Sequence, residues 1–340
     1  MKRAKIQDIA DLLNISRVTV WKVFNNKEGV SEDMKRKVLE CAAEMNYQPS
    51  KLTEAFVSLP PKKQTLVSVV VSRPETSAFW MRIIHQLAEE FSNSGIGLMY
   101  TYLPAQIPDG YTLPQSLMDG SIQGIIIMNV YDQATLNLLN ELSLPKVFLD
   151  IVTDMPIETL NGDLLLLEGR DSIKEIVTSL GKMGHQHIGF IGDIQYAKTN
   201  MERYEGYVSA MHQVGIPIDP DICYTGNMTA KTYVEIIEEF MDHMEHVPDA
   251  FVCVNDHAAN LLVQYLESHG YRVPEDVAVS GYDDNNEFIY TKNLTTVQVN
   301  NSQIAKRLAK QLLYRIDNME DPYEITYIRT KVIYRNSTRV

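Results

Sequence analysis

From Leu66 onward the chain alternates short, continuously apolar runs with amphipathic segments, and that rhythm restricts the folds open to it. Leu66–Val71, Gly124–Met128, Val147–Leu149, Ile188–Ile191, Ala250–Val254 and Val277–Ser280 have the length and apolarity of buried strands. Between them lie groups at helical spacing: Ile83/Ile84/Leu87/Phe91, Ile173/Ile176/Val177/Leu180, Tyr204/Tyr207/Val208/Met211 and Leu261/Leu262/Tyr265/Leu266. A strand that is apolar throughout must be covered on both faces, and a helix with one apolar stripe supplies that cover. The expected fold is therefore α/β, a doubly wound parallel architecture built from βαβ units. The stretch is about twice one such unit, so two lobes are expected.

The segment before Leu66 reads differently. Ile6, Ile9, Ala10 and Leu13 share one helical face, Asn14-Ile15-Ser16 breaks the pattern, and Val20, Val23 and Phe24 form the stripe of a second helix over Arg17–Phe24. Ser16 suits its N-cap. Ser31, followed by Glu32 and Asp33, opens a third helix with core stripe Val38, Leu39, Ala42 and Met45. Asn46 suits a left-handed C-terminal position, and Pro49 prevents continuation. Two short helices joined by a tight turn present the second to a DNA major groove. On that helix Arg17, Val18 and Lys22 point away from the core stripe. Arg17 can pair in bidentate fashion with guanine and Val18 can touch a thymine methyl. Ser16, Thr19 and Asn25 are short polar groups suited to phosphate.

Charge follows the same division. The chain carries 31 basic and 44 acidic residues, a net charge of −13. Residues 1–63 hold 12 of the basic and 8 of the acidic ones, a net +4, which leaves 19 and 36, a net −17, for the rest. A basic head on an acidic body is expected where one small domain touches phosphate and the remainder does not. No run of eighteen apolar residues marks a transmembrane helix, and Met1–Asp11 has no apolar h-region of a secretory signal. Cys41, Cys223 and Cys253 are odd in number, far apart and set in apolar runs, as buried thiols in a reducing compartment would be. These features imply a cytoplasmic protein without membrane contact.

Several motifs resemble the LacI/GalR (lactose-repressor/galactose-repressor) family. In the head these are Ile6-Gln7-Asp8-Ile9-Ala10, the run Ile15 to Asn25, Gly29-Val30-Ser31 and Asn46-Tyr47-Gln48-Pro49. In the body they are Arg203-Tyr204-Glu205-Gly206-Tyr207, Cys253-Val254-Asn255-Asp256, Gly281-Tyr282-Asp283-Asp284, Leu294-Thr295-Thr296-Val297 and the ending Arg335-Asn336-Ser337-Thr338-Arg339. The resemblance implies a helix-turn-helix headpiece over 1–48, a hinge over 49–63 and a two-lobed periplasmic-binding-protein-like core over 64–340. Lobe 1 is expected at about 64–163 and 294–321, and lobe 2 at about 164–293 and 322–340. It further implies that Arg17, Val18 and Lys22 read bases and that Phe56 wedges into a minor-groove step. Trp21, Lys22 and Glu54 depart from the family's usual residues. Lys lacks the fork of Arg, and an acid near phosphate weakens binding.

For the body, ligands of such folds bind at strand C-terminal ends between lobes. Arg203, Asn255 and Asp283 lie near expected strand ends and offer a cationic fork, an amide and a carboxylate suited to hydroxyls. Asp150 follows another strand end. Phe79 and Trp80 follow the first strand and can stack on a sugar or base. The set fits a sugar derivative, with a nucleoside or purine as the other choice, acting as inducer or as corepressor. The expected protein is a homodimeric repressor on a near-palindromic double-stranded operator. Control by a protein partner is the alternative, and a solute-binding protein is the reading from a different class. His185-x-His187 reads as a strand entry and His243/His246 as a solvated face, so no metal or cofactor is expected. No nucleophile elbow, phosphate-binding glycine loop or Ser/Cys–His pairing points to an enzyme.

Overall fold

The computed structural model describes residues 5–25, 27–45, 47, 65–72, 78–108, 110–228, 232–285 and 292–339. It divides into two compact units, Met1–Gln64 and Thr65–Val340.

In the first unit α1 (Ile6–Leu12), α2 (Arg17–Phe24) and α3 (Glu32–Glu44) enclose a core of Ile9, Ala10, Val20, Val23, Phe24, Val38, Leu39, Cys41 and Ala42. The expected caps form. Ser16 Oγ accepts from Thr19 N at 3.0 Å, and Ser31 Oγ accepts from Met34 N at 3.3 Å. Each satisfies one of the amides that a helix start leaves unpaired. Asn14, at a φ of 53°, makes the turn between α1 and α2, a left-handed conformation that asparagine tolerates. The expectations for Asn46, Pro49, Glu54 and Phe56, and for the hinge, lie outside the described residues.

The body contains two parallel sheets. In chain order its elements are β1 (Leu66–Val71), α4 (Ala78–Asn93), β2 (Gly97–Tyr102), β3 (Gly124–Met128), α5 (Gln133–Asn140), β4 (Lys146–Leu149), β5 (Asp163–Leu167), α6 (Arg170–Lys182) and β6 (Ile188–Ile191). There follow α7 (Lys198–Val214), β7 (Cys223–Tyr224), α8 (Tyr233–Asp242), β8 (Ala250–Cys253), α9 (Asp256–Ser268), β9 (Ala278–Ser280), β10 (Thr296–Gln298), α10 (Asn301–Asp317), β11 (Ile325–Ile328) and β12 (Lys331–Ile333). The first sheet has the order β11-β5-β4-β3-β1-β2 and the second β7-β6-β8-β9. Their pairings are parallel, whereas β10 and β12 pair antiparallel.

Alternation explains why the strands are apolar throughout. Val67, Val69, Ile126, Val147 and Leu165 pack with α4 and α10 on one face of the first sheet, while Val70, Ile125, Ile127, Phe148 and Leu164 build the core of the other. The second sheet is likewise sandwiched: Ile188, Phe190, Ala250 and Val252 face α6 and α7, and Ile191, Phe251, Cys253 and Val279 face α8 and α9. Helices α6 and α7 approach so closely that a Cβ on Gly206 would stand 2.2 Å from the Arg170 carbonyl oxygen. That contact gives the glycine of the Arg203–Tyr207 element its physical reason. A buried pair, Arg315 Nη2 to Asp163 Oδ1 at 2.7 Å, ties α10 to β5.

The lobe borders differ from those expected near 163, 294 and 321. Strand β5 pairs with β4, and β11 with β5, so both belong to the first sheet. Val297 of β10 packs in the second lobe's core, so the return to the first lobe comes after Gln298. An apolar run reads the same as the last strand of one sheet or the first of the next, which is why spacing misplaces these borders.

Candidate DNA-reading face and effector crevice

Helix α2 buries Val20, Val23 and Phe24 and leaves Arg17, Val18, Trp21 and Asn25 exposed. Val18 is 60% and Trp21 46% exposed. Lys22 is half-buried, with its amine beside the Gly29 turn. Two of the short polar groups already serve the helix. Ser16 Oγ lies 2.8 Å from Thr19 Oγ1 as well as capping the Thr19 amide, and Asn25 Nδ2 donates to Trp21 O at 2.9 Å. The face thus combines a guanidinium, a small apolar side chain and an indole that the sequence reading left out of the contact set.

In the body the C-terminal ends of both sheets supply a polar cluster. Asp150 follows β4 and is buried; Arg203 is buried on α7; Asp283 follows β9. Arg203 Nη1 donates to the Val254 carbonyl at 2.8 Å, and its guanidinium lies 3.6 Å from the Tyr282 ring centroid. Its Nε has no partner among the described residues, and neither does Asn129 Nδ2 at the end of β3. Burial pushes the Asp283 carboxyl up to about 7, against the pull of Arg203. Asp150 is also raised by burial, with the Thr199 hydrogen bond, the Ile151 amide and Arg203 opposing. Asn129, Asp150, Asp283 and Asp284 all have positive φ, so the chain turns sharply at these strand ends.

The lobes meet through direct contacts at this place. Thr199 Oγ1 donates to Asp150 Oδ2 at 2.5 Å, Lys198 N donates to Ile151 O at 2.8 Å, and Thr153 Oγ1 donates to Ile194 O at 2.8 Å. The rings of Tyr131 and Tyr196 stand 4.2 Å apart, one after β3 and the other before α7. Tyr131 OH also donates to Asp150 Oδ2 at 3.4 Å. Burial, Asp150 and Tyr196 together push the Tyr131 phenol well above its ordinary range.

The predicted residues therefore separate. Arg203, Asp150 and Asp283 come together. Asn255 stands at the end of β8, where its Oδ1 caps α9 by accepting from Ala258 N at 2.8 Å, so only its amide NH₂ retains donor capacity for a ligand. Phe79 is buried in the first lobe's core and Trp80 packs against the same cluster, edge-on to Phe79 at 5.1 Å. Tyr131 with Tyr196 is the aromatic pair at the junction of the lobes. Asn129 and Tyr131 carry the same sequence signal as Asp150, a polar side chain just past an apolar run.

Neighbouring motif residues hold the turn. Asp256 accepts from Thr296 Oγ1 at 2.6 Å and from Asn285 N at 2.8 Å, and a Cβ on Gly281 would lie 2.3 Å from its Oδ1. Arg335 Nη2 pairs with Asp284 Oδ1 at 2.6 Å, which joins the C-terminal element to the Gly281–Asp284 turn. The His185-x-His187 segment enters β6, with the amides of Gln186 and His187 donating to Asp249 Oδ2 at 2.7 and 2.9 Å. Among the described residues no group of three His, Cys, Asp or Glu is placed to hold a metal, and no helix is long and apolar enough to cross a membrane.

Known proteins match both units. The family model for bacterial regulatory proteins, lacI family, covers residues 5–50, and that for a periplasmic binding protein-like domain covers residues 177–338. The HTH-type transcriptional repressor PurR of Pasteurella multocida (strain Pm70) is 26% identical over 339 residues, 99% of each chain. The probable HTH-type transcriptional repressor ExuR of Bacillus subtilis (strain 168) is 28% identical over 337 residues, 98% of each. Among solved structures, a CelR–cellobiose complex matches at 22% identity and TM-score 0.68, covering 98% of this chain and 100% of that one. The lac repressor dimer bound to operator and the anti-inducer ONPF matches at 20% identity and TM-score 0.68, covering 99% of each. The headpiece thus matches the lacI family model for bacterial regulatory proteins, the later part of the body matches a periplasmic binding protein-like domain, and nearly the whole chain is similar to proteins named as HTH-type transcriptional repressors.

Proposed function

We propose that the chain is a cytoplasmic, sequence-specific transcriptional repressor whose hold on its operator is set by a sugar or sugar derivative bound between the lobes. It works as a homodimer, each head reading one half-site of a near-palindrome. Arg17 and Val18 contact base edges, Lys22 assists from its half-buried position, and Ser16, Thr19 and Asn25 line the phosphate side. Phe56 is assigned to operator contact by the family resemblance of the sequence. The protein acts by binding and not by turnover.

The observation that carries the effector half is the Asp150–Thr199 hydrogen bond across the lobes. A ligand hydroxyl offered to Asp150 competes with the Thr199 hydroxyl for the same acceptor. The ligand therefore has different free energies in the closed and opened arrangements, which is what a population shift requires. Arg203 and Asp283 grip further hydroxyls, Asn255 adds its amide, and Tyr131 and Tyr196 offer ring faces. Phe79 and Trp80 act by stiffening the first-lobe wall. The cellobiose complex of CelR and a lacI-family regulator from Enterococcus faecium with bound ribose support a sugar as the ligand class.

The test is enrichment of duplexes from random DNA by purified protein, with and without a sugar and nucleoside panel. A palindrome whose enrichment changes with one sugar is the expected result. A change with a nucleoside alone would replace the ligand class. A palindrome indifferent to every compound would move control to a protein partner, and no enriched sequence from folded protein would overturn the repressor reading.

A further inference from the structure

We infer that Trp21 is a specificity-determining residue of the DNA-reading face, seated against the wall of the major groove one helical turn beyond Arg17 and Val18. The inference rests on the DNA-reading function proposed above. At about 100° per residue, a side chain at 21 falls in angle between those at 17 and 18, displaced by one turn along α2. The buried side of the helix is taken by Val20, Val23 and Phe24, with Val23 opposite Trp21, and Trp21 is in neither the headpiece core nor the half-buried side chains packed against it. It is 46% exposed beside Val18 at 60%. A tryptophan carries a large apolar surface, and among the described residues nearly half of this one is left facing outward.

The surroundings indicate what covers it. Arg17 shares the face, and Lys22 and Lys27 stand at its far end and on the turn that follows. An apolar patch rimmed by cations matches a groove wall, where deoxyribose rings and thymine methyls are apolar and phosphates are anionic. An indole N–H is a donor only, as a phosphate oxygen requires. A small side chain at this position would leave the wall uncontacted. The indole fills it and rejects base pairs whose groups protrude there.

The test compares duplexes enriched from random DNA by full-length wild type, Trp21→Ser and Trp21→Phe. Trp21→Ser is expected to lose about tenfold or more in affinity for the wild-type duplex, and to lose preference at one base pair in each half-site. Its affinity for unrelated DNA, which depends on charge, should be unchanged. The chain has two tryptophans, so wild-type emission should shift on duplex addition, and Trp21→Phe, which retains only Trp80, should not shift. If Trp21→Ser melts below wild type, the Trp21→Phe profile and emission decide. An unaltered profile and affinity with emission indifferent to DNA would overturn the inference and leave the DNA reading intact. Failure of wild type to enrich any duplex would instead remove the reading on which it rests.

Discussion

The Asp150 carboxylate and the Thr199 hydroxyl are joined by a 2.5 Å hydrogen bond that runs from a strand end of the first lobe to the first turn of α7 in the second. Asp150 also accepts from Ile151 N at 2.9 Å and from Thr199 N at 3.3 Å. The carboxylate thus belongs at once to its own turn and to the facing lobe. A group so placed can report ligand arrival to both lobes, because a ligand hydroxyl that displaces the Thr199 hydroxyl replaces a donor that joins them.

Replacing Thr199 by Val removes that donor and keeps the volume. A hydrogen bond to a charged acceptor contributes about 1.5–3 kcal/mol, so Thr199→Val should destabilise the body by about 2 kcal/mol in chemical denaturation. Thr199→Ser, which keeps the hydroxyl, should stay close to wild type. Equal stability of the Val and Ser variants would show that the hydroxyl contributes nothing across the lobes.

Sugar affinity should depend on pH through Asp283. Burial raises its carboxyl to about 7, so near neutrality the free protein holds both charged and protonated forms. A ligand hydroxyl donates to the charged form. Affinity should therefore rise with pH, with roughly a tenth of the protein competent one unit below that value and nearly all of it one unit above. Calorimetric titration of the effective sugar at pH 6 and pH 8 measures the slope, and Asp283→Asn should abolish it.

Much of this architecture was legible in the sequence because burial on both faces leaves no alternation to misread. Leu66–Val71 and Gly124–Met128 are strands at the expected residues, and Ser16 and Ser31 cap the expected helices. Strands β2 and β11 are not among the expected runs because they are the edges of the first sheet, and Ile325 and Tyr327 are about half exposed; β5, buried throughout, is not among them either, so continuous apolarity does not make every inner strand legible. At the candidate site, chemistry singles out Arg203, Asp150 and Asp283, which the fold brings together, but residue type alone does not separate Phe79, which lies in the core, from Tyr131, which lies at the junction of the lobes. That distinction depends on which helix covers which face.

Stability of the body should fall as pH rises towards 8. Burial, with Asp283 next in effect, pushes the Asp256 carboxyl up to about 8, while Thr296 and the Asn285 amide pull it down. The folded state therefore holds a proton that the unfolded chain releases near pH 4, so stability declines between about pH 4 and pH 8 and is flat beyond. Asp256→Asn can still accept from Asn285 N and can donate to Thr296 Oγ1. It should reduce the fall in melting temperature across that window, leaving the share that Asp283, raised to about 7, contributes, and a slope equal to that of wild type would assign the Asp256 share to another group.

Arg17 offers the sharpest test of base reading. It opens α2 on the exposed face, and the N-terminal half of a recognition helix reaches base edges. A bidentate arginine–guanine contact discriminates by about 1–3 kcal/mol, so Arg17→Ala should weaken the selected operator by that amount and relax one base pair in each half-site. Lys22→Ala, half-buried beside the Gly29 turn, should lower affinity more evenly across sequences and reduce the salt dependence by about one counterion. Quantitative binding to the selected operator and its single-base variants, at two salt concentrations, separates the two. If Arg17→Ala lowered all affinities equally, the guanidinium would be a phosphate contact, and the base reading would pass to Val18 and its neighbours on the same face.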